Sequence, residues 1–520
     1  MGAPWQNPQA FLERRKTALM TKVTIKASAS ETVGEVNRFI FGSFVEHMGR
    51  CVYGGVFDPS DPIADEDGFR KDVIELTKEL GVTMVRYPGG NFVSGYIWED
   101  GVGPKENRPT RLDLAWRSIE PNTFGLNEFM KWTKKVDVEP MMAVNLGTRG
   151  VLEAAQLVEY ANYESGTTLS DERVAHGAAQ PHAIKYWCLG NEMDGPWQVG
   201  HKTAEDYGKL ALEAAKAIRL VDQDVKLVAC GSSFEEMPTF GEWETTVLEH
   251  TFDEVEMISM HAYYEKYEDD SLSFLASSAR MERFINGVVA RADAVAKAKG
   301  SDKKINISFD EWNVWYQKRF EGVTNLTFRH APRLIEDEYT VEDAVVVGSL
   351  LMTLLKYSDR VDVACMAQLV NVIGPIRTEP GLPAWRQTIF HPFALTAKHA
   401  RGNVLNLEIT APVKDSALFK DLPMADAVAT VDDARGQVTV FLLNRELEES
   451  SEFNIELAGL GSLRFIEALQ LGGENLDLTN NAERPNAVEP KAVTAIVTGE
   501  SLGITVPKSS WTMIRLEQLG

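Results

Sequence analysis

Short apolar runs alternate with amphipathic helical stretches from about residue 39 to about residue 395, and this alternation restricts the fold more than any other feature of the chain. Such alternation is typical of a parallel sheet whose strands are joined by helices. Eight apolar runs can be counted, at residues 41–45, 83–86, 140–144, 184–189, 226–230, 257–260, 305–309 and 363–367. They predict an α/β fold, a (β/α)8 TIM barrel with long loops. An open doubly wound sheet is the alternative, although no glycine-rich phosphate turn follows the first run.

Helices are predicted between these runs, because apolar residues recur there at steps of three and four. The stretches concerned are residues 69–80, 126–136, 204–220, 281–298 and 341–357. The first should end at Gly81, since glycine readily adopts the left-handed conformation that closes many helices. Thr340 precedes the last, and Asp343 follows it three residues later, which is close to a capping box.

The hydrophobic pattern of the sequence changes after about residue 400. Helical periodicity fades, and short alternating runs separated by turn residues appear at 427–431, 437–443, 464–469 and 510–516. This pattern predicts an all-β sandwich over residues 396–520, following a catalytic barrel over residues 39–395. We expect residues 21–38, which begin with a strand-like run, to join that sandwich. Residues 1–20 are expected to be a disordered extension, with a short amphipathic segment as the alternative.

Composition and charge exclude several partners. The chain has 520 residues, which is too many for one ordinary core and favours a barrel plus a second domain. Its formal net charge of -23 repels phosphate backbones and anionic lipids, so neither a nucleic acid nor a membrane is predicted as a partner. The sequence contains no stretch of ~18 consecutive apolar residues, so no transmembrane helix is predicted.

The N-terminal segment and the cysteines bear on the cellular location. The first nineteen residues contain charges but no apolar stretch followed by a cleavage site, so a secretory signal is not predicted. The four cysteines, Cys51, Cys188, Cys230 and Cys365, are far apart and form no C-x-x-C pair. Buried free thiols in a reducing compartment are therefore expected, and the cytoplasm is the predicted location.

Two glutamates follow apolar runs that lie on opposite sides of a barrel. Glu192 comes directly after the fourth run and Glu311 directly after the seventh. In a TIM barrel the active site lies at the carboxyl ends of the strands, so the two side chains should face each other across the mouth. A glycosidase needs this arrangement, because one carboxylic acid protonates the leaving oxygen while a carboxylate attacks the anomeric carbon.

The remaining strand ends carry groups that hydrogen-bond sugar hydroxyls or stack on the faces of sugar rings. These candidates for substrate binding are Glu46, Arg86, Asn91, Trp98, Asn191, Tyr263, Trp315 and Gln368. Trp197 is a further aromatic candidate, for which ordinary packing is an equally good interpretation.

Five strings in this order resemble the arabinofuranosidases of glycoside hydrolase family 51. They are FVEH at 44–47, RYPGGNF at 86–92, WEDGVGP at 98–104, CLGNEMDG at 188–195 and FDEWNVWY at 309–316. The resemblance extends over essentially the whole chain from about residue 20. In two regions, residues 160–182 and 320–339, no residue roles are transferred from the family to this chain.

The resemblance implies a retaining, exo-acting α-L-arabinofuranosidase that releases terminal arabinofuranosyl groups by double displacement. It implies that Glu192 is the general acid/base and Glu311 the nucleophile, with Asn191 binding the 2-hydroxyl of the sugar. It also implies that Arg86 favours the ionised form of Glu311 by its charge. The other pocket residues implied are Glu46, Asn91, Trp98, Tyr263, Trp315 and Gln368. A carboxyl separation of about 5–5.5 Å is expected for this mechanism.

Three other functions compete with this hypothesis. An endo-acting β-glucanase or xylanase of the same clan would use the same two carboxylates. A catalytically inactive carbohydrate-binding protein would be expected to lack one of them. A metal-dependent hydrolase could be imagined from Glu46, His47 and His261, but no metal-ligand spacing such as H-E-x-x-H occurs. We therefore predict that the protein needs no metal and no cofactor. The predicted substrate is an arabinose-containing oligosaccharide or polysaccharide. The family resemblance also implies a homo-oligomer, specifically a hexamer.

Overall fold

The computed structural model describes residues 20–519 of the chain. The extension expected at residues 1–20 lies outside the described residues, apart from Met20. The first strand is β1 (Thr21–Glu35), which precedes the barrel. No helix within the described range is long and apolar enough to cross a lipid bilayer.

Eight parallel strands close into a barrel, which confirms the predicted fold class and excludes the open doubly wound sheet. The barrel strands are β2 (Gly42–Phe44), β3 (Met84–Tyr87), β6 (Glu139–Ala143), β7 (Tyr186–Leu189), β8 (Lys226–Ala229), β9 (Met257–Tyr264), β10 (Asn306–Val314) and β11 (Val361–Met366). Each coincides with one of the eight apolar runs of the sequence, because strands covered on both faces are apolar throughout. Two short hairpins lie outside the barrel sheet. One is formed by β4 (Arg111–Leu112) with β5 (Ile119–Glu120), and the other by β12 (Ile376–Glu379) with β13 (Leu382–Arg386).

Helices connect the barrel strands and cover their outer faces. They are α1 (Lys71–Leu80), α2 (Leu126–Val136), α3 (Val151–Asn162), α4 (Thr168–Ala175), α5 (Ala204–Val221), α6 (Glu242–Thr251), α7 (Ser271–Leu275), α8 (Ser277–Ala298), α9 (Val341–Lys356) and α10 (Phe390–His399). The five helices predicted from periodicity correspond to α1, α2, α5, α8 and α9. Gly81 closes α1 in the left-handed conformation, and Thr340 and Asp343 form the capping box that begins α9.

The C-terminal strands form one large, mainly antiparallel sheet with β1. They are β14 (Asn403–Thr410), β17 (Ala425–Asp432), β18 (Gln437–Asn444), β19 (Ser451–Ala458), β20 (Ser462–Gly472), β21 (Lys491–Val493), β22 (Ile496–Thr498), β23 (Ser501–Val506) and β24 (Ser510–Leu519), with the separate hairpin β15 (Val413–Lys414) and β16 (Leu422–Pro423). Strands near opposite ends of the sheet, β20 and β23, contribute to one apolar core, so the sheet folds back on itself as a sandwich does.

The earliest strand belongs to this sheet, since β1 pairs with β14 on one side and β19 on the other. This pairing agrees with the predicted division of the chain into domains after residues 38 and 395, and that division stays a prediction. Helix α9 is buried on every side from Val341 to Leu355 because it lies between the barrel and the sheet. Gly348 allows the closest approach there, since a Cβ at this position would lie 2.6 Å from Cδ1 of Trp511.

Candidate active site

Glu192 and Glu311 come together at the carboxyl end of the barrel. Glu192 follows β7, Glu311 lies in β10, and both line one large cavity. A carboxylate oxygen of Glu192 lies within 4.8 Å of a carboxylate oxygen of Glu311. Retaining glycosidases separate their carboxyl groups by about 5–5.5 Å and inverting ones by about 6.5–9.5 Å, to leave room for a water. The short gap therefore suits direct attack by one carboxylate.

The turn after β7 determines the direction of the Glu192 side chain. Gly190 has a φ of 98° and Glu192 a φ of 44°, both in the left-handed region. Glycine adopts this conformation without steric cost, whereas a glutamate there stores strain of order 1 kcal/mol. Backbone strain of this kind persists only where the surrounding structure imposes it, and it clusters at functional sites.

Hydrogen bonds to both oxygens fix the carboxylate of Glu311. Nη1 of Arg86 donates to Oε1 at 2.7 Å, and the hydroxyl of Tyr263 donates to Oε2 at 2.7 Å. The second amino group of Arg86 donates to Oδ1 of Asn191, also at 2.7 Å, and Asn191 in turn donates to Asn91 at 3.3 Å. Arg86 is buried, and it ties the loop carrying Glu192 to the strand carrying Glu311.

Glycine at position 90 allows the backbone to approach two carboxylates. A Cβ there would lie 3.0 Å from Oε1 of Glu311 and 3.3 Å from both carboxylate oxygens of Glu46. A side chain at this position would therefore require the carboxylates to shift by a few tenths of an ångström.

Glu46 is a buried third carboxyl group beside the pair. Its oxygens accept hydrogen bonds from the backbone N–H of Phe92 at 2.9 Å, from Nε1 of Trp116 at 2.9 Å and from Nε2 of Gln368 at 3.0 Å. Burial, and then the negative charge of Glu311, raise the pKa of Glu46 to about 8.

His261 bridges the acid/base candidate to a buried aspartate. Its Nδ1 lies 2.9 Å from Oε1 of Glu192, and its Nε2 lies 2.8 Å from Oδ1 of Asp310. Burial by itself lowers the pKa of His261, but the charge of Glu311 and the hydrogen bonds to Asp310 and Glu192 raise it to about 10. The sequence suggested His261 as a metal ligand or, with more weight, as a residue that orients a neighbour, but it did not identify Glu192 and Asp310 as the partners. The signal that could have placed His261 in the site was the pairing of the neighbouring strands β9 and β10, in which His261 lies opposite Glu311.

The aromatic residues are arranged differently from the prediction. Trp98 is not among the residues that line the cavity; it packs against the ring of Tyr160 at 5.1 Å. The interpretation of Trp98 as a wall of the pocket is thus corrected, because its side chain is buried against Tyr160 and does not face the cavity. Trp116 takes a place in the lining instead, and no sequence signal marked it, since it lies in a hairpin far from any barrel strand.

Trp197 and Trp315 both line the cavity. Nε1 of Trp197 donates to Oε2 of Glu192 at 2.7 Å, while the ring is 46% exposed and stacks on Phe234. Within residues 20–519, Nε1 of Trp315 and Oε1 of Gln368 are buried without a hydrogen-bond partner. Buried polar atoms without partners are rare in folded proteins, so this pair is suited to bind hydroxyl groups of a ligand.

The three side chains at the site that could hold a metal are already engaged with one another. Glu192, His261 and Glu311 have ligand atoms within 4.8 Å, but both ring nitrogens of His261 are hydrogen-bonded to carboxylates. His47, considered as a ligand from the sequence, lies between Glu120 and the hydroxyl of Tyr87. The arrangement is that of an acid–base pair with supporting hydrogen bonds, and the absence of a cofactor stays a prediction.

A closed (β/α)8 barrel whose mouth holds two glutamates at this spacing defines the class: the protein is a glycoside hydrolase. Residues 76–278 match the family described as α-L-arabinofuranosidase 1 domain, and residues 310–510 match the α-L-arabinofuranosidase C-terminal domain.

Relatives and solved structures agree over most of the chain. It is 55% identical to a protein from Streptomyces lividans named intracellular exo-α-(1→5)-L-arabinofuranosidase, over 93% of this chain and 74% of that one. It is 53% identical to an exo-α-(1→6)-L-arabinofuranosidase from Bifidobacterium longum, over 93% and 95% of the two chains. A solved family 51 α-L-arabinofuranosidase from Bifidobacterium longum is similar with a TM-score of 0.92 and 46% identity, covering 95% of this chain and 99% of that one. The chain belongs to the α-L-arabinofuranosidases of glycoside hydrolase family 51.

Proposed function

We propose that this chain is an exo-acting α-L-arabinofuranosidase that hydrolyses terminal arabinofuranosyl groups with retention of configuration. The observation that carries the proposal is the short gap between Glu192 and Glu311, within 4.8 Å between oxygens, in one cavity. The names of the similar proteins from Streptomyces lividans and Bifidobacterium longum, both exo-α-L-arabinofuranosidases, support the substrate class. They disfavour the alternative of an endo-acting glucanase or xylanase.

The mechanism begins with Glu311 as nucleophile. Arg86 and Tyr263 each donate a hydrogen bond to its carboxylate, so the anion is held in position to attack C1 of the arabinofuranosyl group. Glu192 donates its proton to the leaving oxygen as the bond from C1 to that oxygen breaks. The product of this step is a glycosyl ester on Glu311.

The second half of the reaction returns the enzyme to its starting state. Glu192, now a carboxylate, takes a proton from water, and the oxygen of that water attacks C1 of the ester. Glu311 leaves as a carboxylate, and arabinose is released with its original configuration after two inversions.

The remaining predicted residues are proposed to hold the sugar. Asn191, beside the acid/base and hydrogen-bonded to Arg86, is assigned to the 2-hydroxyl group. Glu46, Asn91 and Gln368 provide further polar contacts, and Trp315 and Trp116 provide apolar walls, all of them in the lining of the cavity. Asn191 and Trp98 both lie outside that lining; Asn191 is kept because it directly precedes Glu192 and contacts Arg86, whereas Trp98 is omitted because its ring packs on Tyr160.

The proposal extends to the partner and the location. The substrate is an arabinose-containing oligosaccharide or polysaccharide, and the enzyme acts in the cytoplasm, as the word intracellular in the name of the Streptomyces lividans relative suggests. A homo-oligomer, and in particular a hexamer, stays a prediction from the family resemblance.

The experiment that tests the function measures release of nitrophenol from an aryl α-L-arabinofuranoside. Kinetics on natural oligosaccharides are measured alongside. With these substrates we expect Glu311→Ala and Glu192→Ala each to lose at least about a hundredfold in kcat/KM, whereas the exposed control Glu483→Ala keeps its activity. Azide should restore turnover of the aryl substrate by Glu192→Ala and give an arabinosyl azide of retained configuration.

The Glu311→Ala variant should not form that retained azide, because it has no carboxylate to form the glycosyl ester. A retained product from Glu311→Ala, or a wild-type enzyme that cleaves a β-glucan but not the aryl arabinofuranoside, would contradict the proposal.

A further inference from the structure

The cavity continues well beyond the carboxyl pair, to a volume of about 900 Å³. Its inner part holds the carboxyl pair and the groups assigned to the arabinofuranosyl ring. Its outer part, here called the outer chamber, is lined by residues 233–236 after β8, Tyr264 at the end of β9, Glu265, Tyr267, Glu268 and Asp270 after that strand, Arg280 and Arg283 of α8, and residues 417–419. The volume exceeds that of one pentose ring, so the outer chamber has room for further sugars.

Trp197 places the leaving group on this side. Its indole N–H donates to Oε2 of Glu192, the carboxyl group that protonates the leaving oxygen, and its ring turns away from the pair to stack on Phe234 at 5.9 Å. The ring is 46% exposed, although it lies beside the reacting groups. An exposed aromatic face next to the proton donor suits stacking of the first sugar of the leaving group.

The C-terminal domain contributes the far wall of the outer chamber. The loop between β15 and β16 presents Leu418, which is 58% exposed, and Phe419. This loop is attached to the barrel, since the backbone N–H of Leu418 donates to the hydroxyl of Ser273 at 3.4 Å and the guanidinium of Arg283 lies 5.8 Å from the ring of Phe419. An apolar surface so attached can contact a second or third sugar.

The charges around the outer chamber are predominantly negative. Its two cations are already paired, Arg283 with Glu235 and Arg280 with Glu236. Three further carboxylates in the lining, Glu265, Glu268 and Asp270, take part in no ion pair within residues 20–519, and the ammonium of Lys318 lies over the ring of Tyr267. The chamber therefore has an excess of negative charge, in a chain whose formal net charge is -23.

We infer that the outer chamber binds a neutral saccharide as the leaving group and discriminates against leaving groups that carry carboxylates, such as uronic acids. This inference rests on the proposed function. Trp197 and Leu418 provide the contacts that favour a chain of two or more neutral sugars. Glu265, Glu268 and Asp270 provide the repulsion against an acidic one, which is an unfavourable contact built against the wrong ligand.

The experiment compares two substrates that differ by one carboxylate. One is an arabinofuranosyl digalactoside; the other is the same trisaccharide with the primary alcohol of its terminal galactose oxidised to a carboxylate. Wild-type kcat/KM should be about fivefold or more higher for the neutral substrate, and the ratio should shrink at high salt because exposed charges are screened. Glu268→Lys should reduce the ratio about threefold, whereas Glu483→Lys, with the same change in net charge at an exposed position outside the cavity lining, should not.

A second pair of variants tests the apolar wall. Leu418→Ser should lower kcat/KM for the neutral trisaccharide relative to the aryl arabinofuranoside by about threefold. Ile496→Ser, at an exposed position on the outer strand β22, should keep that ratio.

Equal rates on the two trisaccharides by a wild-type enzyme that is active on the aryl arabinofuranoside would overturn the inference and leave the proposed function standing. An unchanged ratio in Glu268→Lys, or an equal change in Glu483→Lys, would overturn it too. Inactivity on the aryl substrate would instead contradict the proposed function itself.

Discussion

His261 lies between two carboxyl groups at the carboxyl end of the barrel. Its two ring nitrogens join Glu192 to Asp310, which is fully buried and also accepts a hydrogen bond from Ser308 at 3.0 Å. Arg86 and His261 lower the pKa of Asp310 against the effect of burial, so Asp310 is an anion. The imidazole is thus anchored at one end by a permanent charge and holds Glu192 at the other.

We expect His261→Asn to impair proton donation more than nucleophilic attack. Leaving groups that need protonation should suffer most, so the ratio of kcat/KM for a natural disaccharide to that for a nitrophenyl arabinofuranoside should fall about tenfold. Steady-state kinetics on the two substrates provide the measurement. A uniform loss on both substrates would indicate that His261 merely supports the fold.

Glu46 should make the stability of the enzyme depend on pH. Burial and the charge of Glu311 raise its pKa from 4.5 to about 8, so the protonated carboxyl group stabilises the folded state. This stabilisation is complete below about pH 4.5, the unfolded value, and is lost as the pH rises through about 8. Glu46→Gln has a similar shape but cannot ionise.

The free energy of unfolding of Glu46→Gln should therefore rise relative to wild type between about pH 4.5 and about pH 8 and stay level above that. Urea denaturation at a series of pH values measures this difference, with the exposed Glu483→Gln as control. A constant difference across that range would show that Glu46 has no such shift.

At the scale of elements, the segment between β3 and the following helical turn brings the site together. It carries Gly90 against the carboxylates of Glu46 and Glu311, with Asn91 directly after it. A side chain at position 90 must displace a carboxylate that Arg86 and Tyr263 hold in place.

Gly90→Ala should thus reduce kcat/KM about tenfold, because the carboxylates must shift by a few tenths of an ångström and a full 1 Å in a catalytic group can cost about a hundredfold. The matched control is Gly95→Ala in the same segment, where an added Cβ meets no described atom within 4 Å. Kinetics and thermal unfolding of both variants separate the effects. Full activity in Gly90→Ala would mean that the carboxylates move aside freely.

The elements found from the sequence were those with strong periodicity. All eight barrel strands and helices α1, α2, α5, α8 and α9 coincide with predicted segments. Helices α3, α4, α6, α7 and α10 were not predicted. Among them, α4 contains mostly polar residues, and its start depends on Thr167 and Ser170 bonding to each other's backbone N–H. Caps of this kind are local contacts that an apolar pattern does not contain.

At the scale of the whole molecule, Arg445 connects the sheet to the barrel. Its buried guanidinium donates to the backbone oxygen of Leu275 at 3.2 Å, to the hydroxyl of Ser278 at 2.8 Å and to Asp426 at 3.2 Å. The first two partners belong to α7 and α8, and α7 underlies the wall of the outer chamber. The C-terminal domain is therefore attached where it contributes to the cavity.

Arg445→Ala should lower the free energy of unfolding by about 3 kcal/mol, since it leaves Asp426 buried with one partner fewer and leaves backbone oxygens unpaired. Arg435→Ala, which removes an exposed partner of Asp432, should change it by less than about 1 kcal/mol. Urea unfolding of both variants gives the comparison. Equal effects would show that the contact between the domains contributes little.

The sequence by itself determined the class of fold and the chemistry of the pair. Strand number, strand position and the glutamates after the fourth and seventh runs follow from continuous apolar runs, from the helical period of 3.6 residues between them and from the residues at the end of each run. The tertiary structure alone decided which aromatic residues face the cavity, Trp116 and not Trp98, and that His261 joins Glu192 to Asp310. It also decided that Leu418 and Phe419, more than a hundred residues beyond the nucleophile, complete the outer chamber. The physical reason is that such contacts depend on how loops and domains pack, and side chains distant along the chain meet there without any local pattern to mark them.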